Sequence, residues 1–253
     1  MNPELHLFWN MAALALFWLG TGWRVRRSQI AATTVIDGAV YITVGVVVGA
    51  WAANAVPRLV NVTLGDGAFT PWWVAGQHWI GAVAGGAAAA YLWLRWRKLP
   101  VGICFDAAAP FVALALAVAR IGCYVNADSY GKATDVWFAM WLPDPQGIYA
   151  MRYPTQLVSI GVNVFIAGLL FAFEWYTTRR LGKPAHWPFA GFLFLLYVAL
   201  YCGQRSYFEF WRADMYPFVG PFTWTHLYCG IALILIMWPL WRGLSSRFAD
   251  PHR

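Results

Sequence analysis

The sequence predicts an all-α polytopic integral membrane protein with seven transmembrane helices, its N-terminus outside and its C-terminus cytoplasmic. The first observation behind this is composition. Of 253 residues, 60% are hydrophobic and 11% are charged, against roughly 25% charged in a soluble domain. The second is the supply of 17 tryptophans and 12 tyrosines, amphipathic rings that settle at the two membrane–water interfaces. The third is a set of apolar stretches, each near the ~20 residues that a bilayer-crossing helix needs. They run at Leu5–Trp23, Val35–Val56, Trp72–Trp93, Asp106–Val125, Leu157–Tyr176, Pro188–Phe208 and Trp224–Trp241. An odd number of spans puts the termini on opposite faces, and the whole of 1–253 is expected to form a single membrane-embedded domain.

Each span has its own signature. Glu4, not a basic run, precedes the first, and no small-residue cleavage site follows it. It therefore reads as a transmembrane helix, not a cleavable signal peptide. The second and third carry Gly45 with Gly49 and Gly81 with Gly85, small residues one turn apart that let helices approach closely. The fourth is broken by a charge, Arg120, after the apolar run Phe111–Ala119. Between the fourth and fifth lies the longest connection, Asn126 to Thr155, with Gly131, Pro143, Pro145, Gly147 and Pro154. Long connections without periodicity are often functional. Cys104, Cys123, Cys202 and Cys229 fall in or beside apolar runs without metal-type spacing and read as buried thiols, so no metal and no cofactor is expected.

Orientation follows from the basic residues. Arg24, Arg26 and Arg27 follow the first span, and Arg95, Arg97 and Lys98 the third. Arg179, Arg180 and Lys183 follow the fifth, and Arg242, Arg247 and Arg253 lie in the tail. All fall on one face, which the positive-inside rule makes cytoplasmic. The net charge of +7 is therefore a topology signal and does not point to a nucleic-acid partner.

A smaller group of charges lies toward the outer face. Arg120 is 14 residues beyond Asp106 on an outward-running span, about 21 Å at 1.5 Å per residue. A charge at that depth either snorkels to the interface or serves a function. On the sixth span, Arg205 and Arg212 are seven residues apart with Glu209 between them, so the three share a helix face. They act either as interfacial anchors or as two guanidinium groups oriented by one carboxylate. His78 lies one to two turns into the third span, at the depth of the arginines, and is either a hydrogen-bonded structural histidine or part of the same site. His226 begins its span on the same side with nothing else to support it. Arginine forks bind phosphate oxygens in pairs, and a lipid phosphate lies at this level. A proton or cation path would instead favour carboxylates within the membrane. Asp37, Asp106 and Glu174 sit at the other, cytoplasmic ends of their spans.

Three blocks of residues carry a family resemblance. Asp106 to Pro110 reads D-A-A-A-P, and Ala119 to Gly131 reads A-R-I-G-C-Y-V-N-A-D-S-Y-G. Together they resemble the D-x-x-A-P and G-R-x-G-C/N-F-x-N-G signature of prolipoprotein diacylglyceryl transferases. Arg152 to Leu157, R-Y-P-T-Q-L, is similar to the family's R-x-P-S-Q-L. Arg205 to Asp214 is similar to its R-x-x-x-E-F-F-R-x-x-D, one residue shorter before the aspartate. The resemblance covers roughly Gln77 to Asp214. This chain departs from the family at several places: His78-Trp-Ile-Gly81 stands for its His-Gly-Gly, Ala119 for the signature glycine and Asp128 for a glutamate. Val158 and Ser159 stand for the tyrosine and glutamate that follow Q-L.

The resemblance implies an enzyme of the bacterial inner membrane with its site toward the outer leaflet. Such an enzyme moves diacylglyceryl from phosphatidylglycerol to the lipobox cysteine of a lipoprotein precursor and releases glycerol phosphate. Carried onto this sequence, His78 accepts the thiol proton, while Arg120 and Arg205 hold the phosphate. Asn126, Asp128, Gly131, Arg152, Gln156, Glu209 and Arg212 line or orient the substrates. The competing reading is a transporter or scaffold that binds anionic phospholipid without chemistry. A transporter is expected to show an internal repeat or broken helices, and no clear repeat is visible.

Overall fold

The computed structural model describes residues 3–26, 30–63, 79–183, 186–214 and 217–249. Seven α-helices occur among them: α1 (Pro3–Arg26), α2 (Ala32–Thr63), α3 (Trp79–Trp96), α4 (Val101–Val125), α5 (Thr155–Trp175), α6 (Phe192–Glu209) and α7 (Trp224–Ala249). Five stretches are long and apolar enough to cross a membrane: Glu4–Arg26, Thr33–Ala53, Val101–Val125, Thr155–Arg180 and Trp224–Ser246. Large apolar side chains such as Leu19, Ile234, Leu235 and Trp238 are exposed along these helices, as lipid-facing residues must be. This is a multi-pass membrane protein. Of the other two expected spans, α6 carries Gln204, Arg205 and Glu209 within its 18 residues, which lowers its apolar character. The described part of α3 begins at Trp79.

The expectation of an all-helical chain needs one amendment, because two small antiparallel hairpins join the helices. In the first, β1 (Met140–Pro143) pairs with β2 (Tyr149–Arg152), Met140 opposite Arg152 and Pro143 opposite Tyr149. In the second, β3 (Pro217–Val219) pairs with β4 (Phe222–Thr223). The first lies within the long connection that showed no periodicity. Four-residue strands are too short to give an alternating signal, and the turn between them is held by side-chain chemistry instead. Asp144 Oδ1 accepts the backbone N–H groups of Gln146 and Ile148 at 3.0 and 2.9 Å, and Gly147 takes a positive φ of 80°.

The chain forms two compact units, Met1–Val25 with Gly102–Arg253 and, separately, Arg26–Val101. The smaller unit is the α2–α3 pair. Gly49 and Gly81 meet backbone to backbone, as do Gly45 and Gly85, and a Cβ on either member would collide with the other helix. The small-residue spacing seen in the sequence is thus a contact surface, in which van der Waals approach replaces the hydrophobic drive that lipid cannot supply.

In the larger unit, α4 is the buried centre. Asp106, Ala109, Pro110, Ala113 and Leu116 are all at most 2% exposed. Alanines dominate this helix, so neighbouring helices come close to its axis. One ion pair and one carboxylate cap fasten elements to the bundle. Arg24 Nη2 of α1 lies 2.6 Å from Glu174 Oε2 of α5, so this arginine, counted above as a topology charge, is also buried and paired. Asp106 reaches the start of α6, where its carboxylate accepts the N–H groups of Gly191 and Phe194 at 2.8 and 3.2 Å. The first aspartate of the signature is therefore a cap for another helix. A carboxylate there answers the unpaired donors and positive dipole end of a helix N-terminus.

Candidate functional site

The site grows from the far end of α4. Arg120 is 8% exposed. One Nη1 lies 3.1 Å from Ser129 Oγ and 3.9 Å from Cys123 Sγ, while its Nε is buried without a partner. No carboxylate among the described residues pairs with it. A buried guanidinium without a counter-charge is costly, so Arg120 stands ready for an anion.

Two further arginines come from the end of α6 and the turn after it. Arg205 Nη1 lies 2.5 Å from Glu209 Oε2. Arg212 donates to Asp214 from Nε at 2.9 Å and from Nη2 at 2.6 Å. Burial works against the Arg212 charge, but the neighbouring Asp214 carboxylate overcomes it and raises the guanidinium above its ordinary range. Arg120, Arg205 and Arg212 then line one small cleft together with Ser129, Thr155, Ser159, Gln204 and Phe208. Three guanidinium groups face two carboxylates. Gln204 Nε2 adds another buried donor without an acceptor. The cleft is rich in hydrogen-bond donors and positive in charge.

Local structure explains how these groups meet. Residues 130–134 run extended between the end of α6 and β2. Lys132 N–H donates to Trp211 O at 2.8 Å, Ala213 N–H to Tyr130 O at 3.0 Å, and Thr134 N–H to Met151 O at 2.9 Å. Gly131 bridges to Arg212, and a side chain there would strike the Tyr153 carbonyl. The rings of Tyr153 and Trp211 stack at 5.0 Å behind this segment. Ahead of it, Ala127 and Ser129 hold φ of 56° and 58°, left-handed conformations that non-glycine residues adopt at a cost. Ala127 stands where the resembling signature has glycine. The strained turn delivers the Ser129 hydroxyl to Arg120.

The other sequence-selected residues support the cleft from behind. Gln156 is 3% exposed and donates from Nε2 to Asp128 O at 2.9 Å. Asn126 Nδ2 donates to Asp128 Oδ2 at 3.1 Å. Arg152 pairs with Asp144 at 3.0 Å and covers the Tyr130 ring at 5.1 Å. Its charge is committed to the hairpin turn. Asn126, Asp128, Gly131, Arg152, Gln156 and Glu209 are not among the residues lining the cleft. His78 lies outside the described residues.

Sequence reasoning missed Ser129, Thr155, Ser159, Gln204 and Phe208 as lining residues. The first two adjoin Asp128 and Gln156 in the motif blocks, and Thr155 and Ser159 share a face of α5 one turn apart. That spacing was a usable signal. His6 was also missed: its Nδ1 lies 3.3 Å from Asp128 Oδ2. His6, Cys123 and Asp128 place one potential metal-ligand atom each within 4.8 Å of one another. The Arg120 guanidinium, 3.9 Å from the Cys123 sulfur, opposes a cation there.

Fold and cleft together define a multi-pass membrane protein with an arginine-lined cleft in its larger unit. The sequence matches the family model of prolipoprotein diacylglyceryl transferase over residues 6–242, and the chain belongs to that family. Among its relatives is the phosphatidylglycerol–prolipoprotein diacylglyceryl transferase of Streptomyces griseus, 33% identical over 144 residues, which are 56% of this chain and 41% of that protein. The protein of the same name from Frankia casuarinae is 35% identical over 145 residues, 56% of this chain and 33% of the relative. That of Brucella anthropi is 29% identical over 185 residues, 70% of this chain and 62% of the relative. The chain thus spans from 33% to 62% of the length of these three relatives.

Proposed function

We propose that this chain transfers diacylglyceryl from phosphatidylglycerol to the lipobox cysteine thiol of a lipoprotein precursor, releasing glycerol phosphate. In this reading it forms a single domain and crosses the bacterial inner membrane seven times, N-terminus outside, with the cleft toward the outer leaflet. The observation that carries the reading is Arg120, buried, without a carboxylate partner among the described residues, and lining one cleft with Arg205 and Arg212.

The chemistry follows from where charge moves. The thiol loses its proton, the sulfur attacks the glyceryl carbon attached to phosphate, and the carbon–oxygen bond breaks. The electron pair leaves on the phosphate oxygen. Guanidinium donors already aimed at that oxygen stabilise the growing charge without reorganising. Arg120 and Arg205 have that role here, with Arg212 and Ser129 completing the donor set. His78 is the assigned proton acceptor, because imidazole is the side chain that exchanges a proton near neutral pH. Asn126, Asp128, Gly131, Arg152, Gln156 and Glu209 hold the walls that position the arginines.

The test supplies purified protein with phosphatidylglycerol vesicles and a lipobox peptide, and reads the diacylglyceryl adduct by mass spectrometry. Wild type is expected to form it, and Arg120→Ala to lower the rate by about a hundredfold or more while remaining inserted. No adduct, where a family relative run in parallel makes one, overturns the assignment in favour of a non-catalytic lipid binder. Full activity in Arg120→Ala overturns the phosphate role.

A further inference from the structure

The hairpin β3–β4 and the start of α7 have no part in the reaction as described, yet they touch its machinery. Glu209, which holds Arg205, is the last residue of α6 and is 4% exposed. Its other oxygen, Oε1, accepts a hydrogen bond from Thr223 Oγ1 at 3.0 Å. Thr225 is a second hydroxyl-bearing neighbour of the same carboxylate. Both threonines are buried, at 6% and 4% exposure. They flank Trp224, the first residue of α7, so the carboxylate also sits by the positive end of a 26-residue helix, where negative charge is favoured.

Thr223 is fixed in turn. Its backbone N–H donates to His226 Nδ1 at 3.0 Å, which makes Nδ1 an acceptor and assigns the ring proton to Nε2. The Phe210 and Phe222 rings lie 4.6 and 5.4 Å from the imidazole. A chain of contacts therefore runs from His226 through Thr223 and Glu209 to Arg205 in the cleft. Alone, an Arg–Glu pair four residues apart on one helix is a weak tether and leaves the carboxylate free to turn. Bonds from a second helix remove that freedom.

We propose that Thr223, assisted by Thr225, is a positioning residue for Arg205: it locks the Glu209 carboxylate so that the guanidinium points into the cleft. His226 sets the rotamer of the lock. This rests on the transfer reading above, since aim matters most where charge develops. A donor displaced by about 1 Å can cost up to a hundredfold in rate. An indirect misalignment through one lost hydrogen bond is expected to cost about tenfold.

The experiment measures transfer kinetics and thermal unfolding for wild type, Thr223→Val, Thr223→Ser, Glu209→Gln and the double variant Thr223→Val/Glu209→Gln. Thr223→Val is expected to lower kcat about tenfold with KM for lipid little changed, and Thr223→Ser to restore it. The double variant is expected to be no slower than Glu209→Gln alone, because residues acting through one another are not additive. Wild-type kcat in a folded Thr223→Val protein overturns the proposal, as does a loss that multiplies with that of Glu209→Gln. A loss that serine does not restore and that follows the melting temperature assigns Thr223 to stability alone and also overturns it. If wild type transfers nothing, the reaction assignment fails, and the lock is judged on phosphatidylglycerol binding. Weaker binding in Thr223→Val, restored in Thr223→Ser, then supports it. Equal binding in all three overturns it.

Discussion

Asp106→Ala separates a structural from a chemical role for the most conspicuous acid of the signature. The carboxylate is 1% exposed and accepts two backbone N–H groups at the start of α6, at 2.8 and 3.2 Å. A hydrogen bond to a charged group contributes about 1.5–3 kcal/mol, and the helix dipole adds about 0.3–1 kcal/mol. The second bond is long, and the freed donors regain some solvation, so the net loss is about 3 kcal/mol. For a chain of this size that lowers the melting temperature by about 6–12 °C. Asp106→Asn keeps one acceptor oxygen but turns a donor toward the helix end, and it is expected to lose a similar or slightly smaller amount. The assay is thermal unfolding in detergent, followed by intrinsic tryptophan fluorescence, with transfer activity measured on the folded fraction well below the transition. An unchanged melting temperature refutes the capping argument. So does full stability with lost transfer, which would give Asp106 a part in the chemistry.

Other consequences are simpler to read. Arg152→Ala removes the guanidinium from the partly buried Asp144, a loss of about 1.5–3 kcal/mol; it is expected to loosen the β1–β2 hairpin, seen as faster proteolysis at 144–148. Ala127→Gly relieves a left-handed residue whose strain is about 1–2 kcal/mol. Against the greater unfolded-state freedom of glycine, a net gain of under about 1 kcal/mol is expected in the same melting assay. Gly81→Leu drives a side chain into the backbone of α2 and is expected to destabilise the α2–α3 pair by more than about 2 kcal/mol. Limited proteolysis cutting first within 30–63 or 79–96 checks this, and an unchanged digestion pattern counts against the close contact.

Much of the site was legible because its parts are written as charges in an apolar chain. Arg120, Arg205 and Arg212 needed only the span pattern and helical spacing to be placed at one end of the bundle, and they do line one cleft. Their partners were less visible. Arg152 looked like a substrate contact because it sits in a motif block, yet its counter-ion Asp144 comes from across a hairpin that leaves no periodic trace. Asp106 looked like a membrane-edge acid, and its work is done on a helix start 85 residues away. His226 looked isolated, because the residue it holds, Thr223, matters only through Glu209.

By itself, then, the sequence determined the membrane class, five of the expected spans and the charge-bearing residues, since apolar length and buried charge are local properties of the chain. Only the tertiary structure decided which charges are neutralised. Whether a guanidinium is free for a ligand depends on the carboxylates that folding leaves beside it, some of them, like Glu174 for Arg24, from distant segments. Arg152 and Arg24 are paired within the protein, while Arg120 has no carboxylate partner among the described residues and lines a cleft with two more arginines. That difference in partners, among residues of one type, is what makes a binding site.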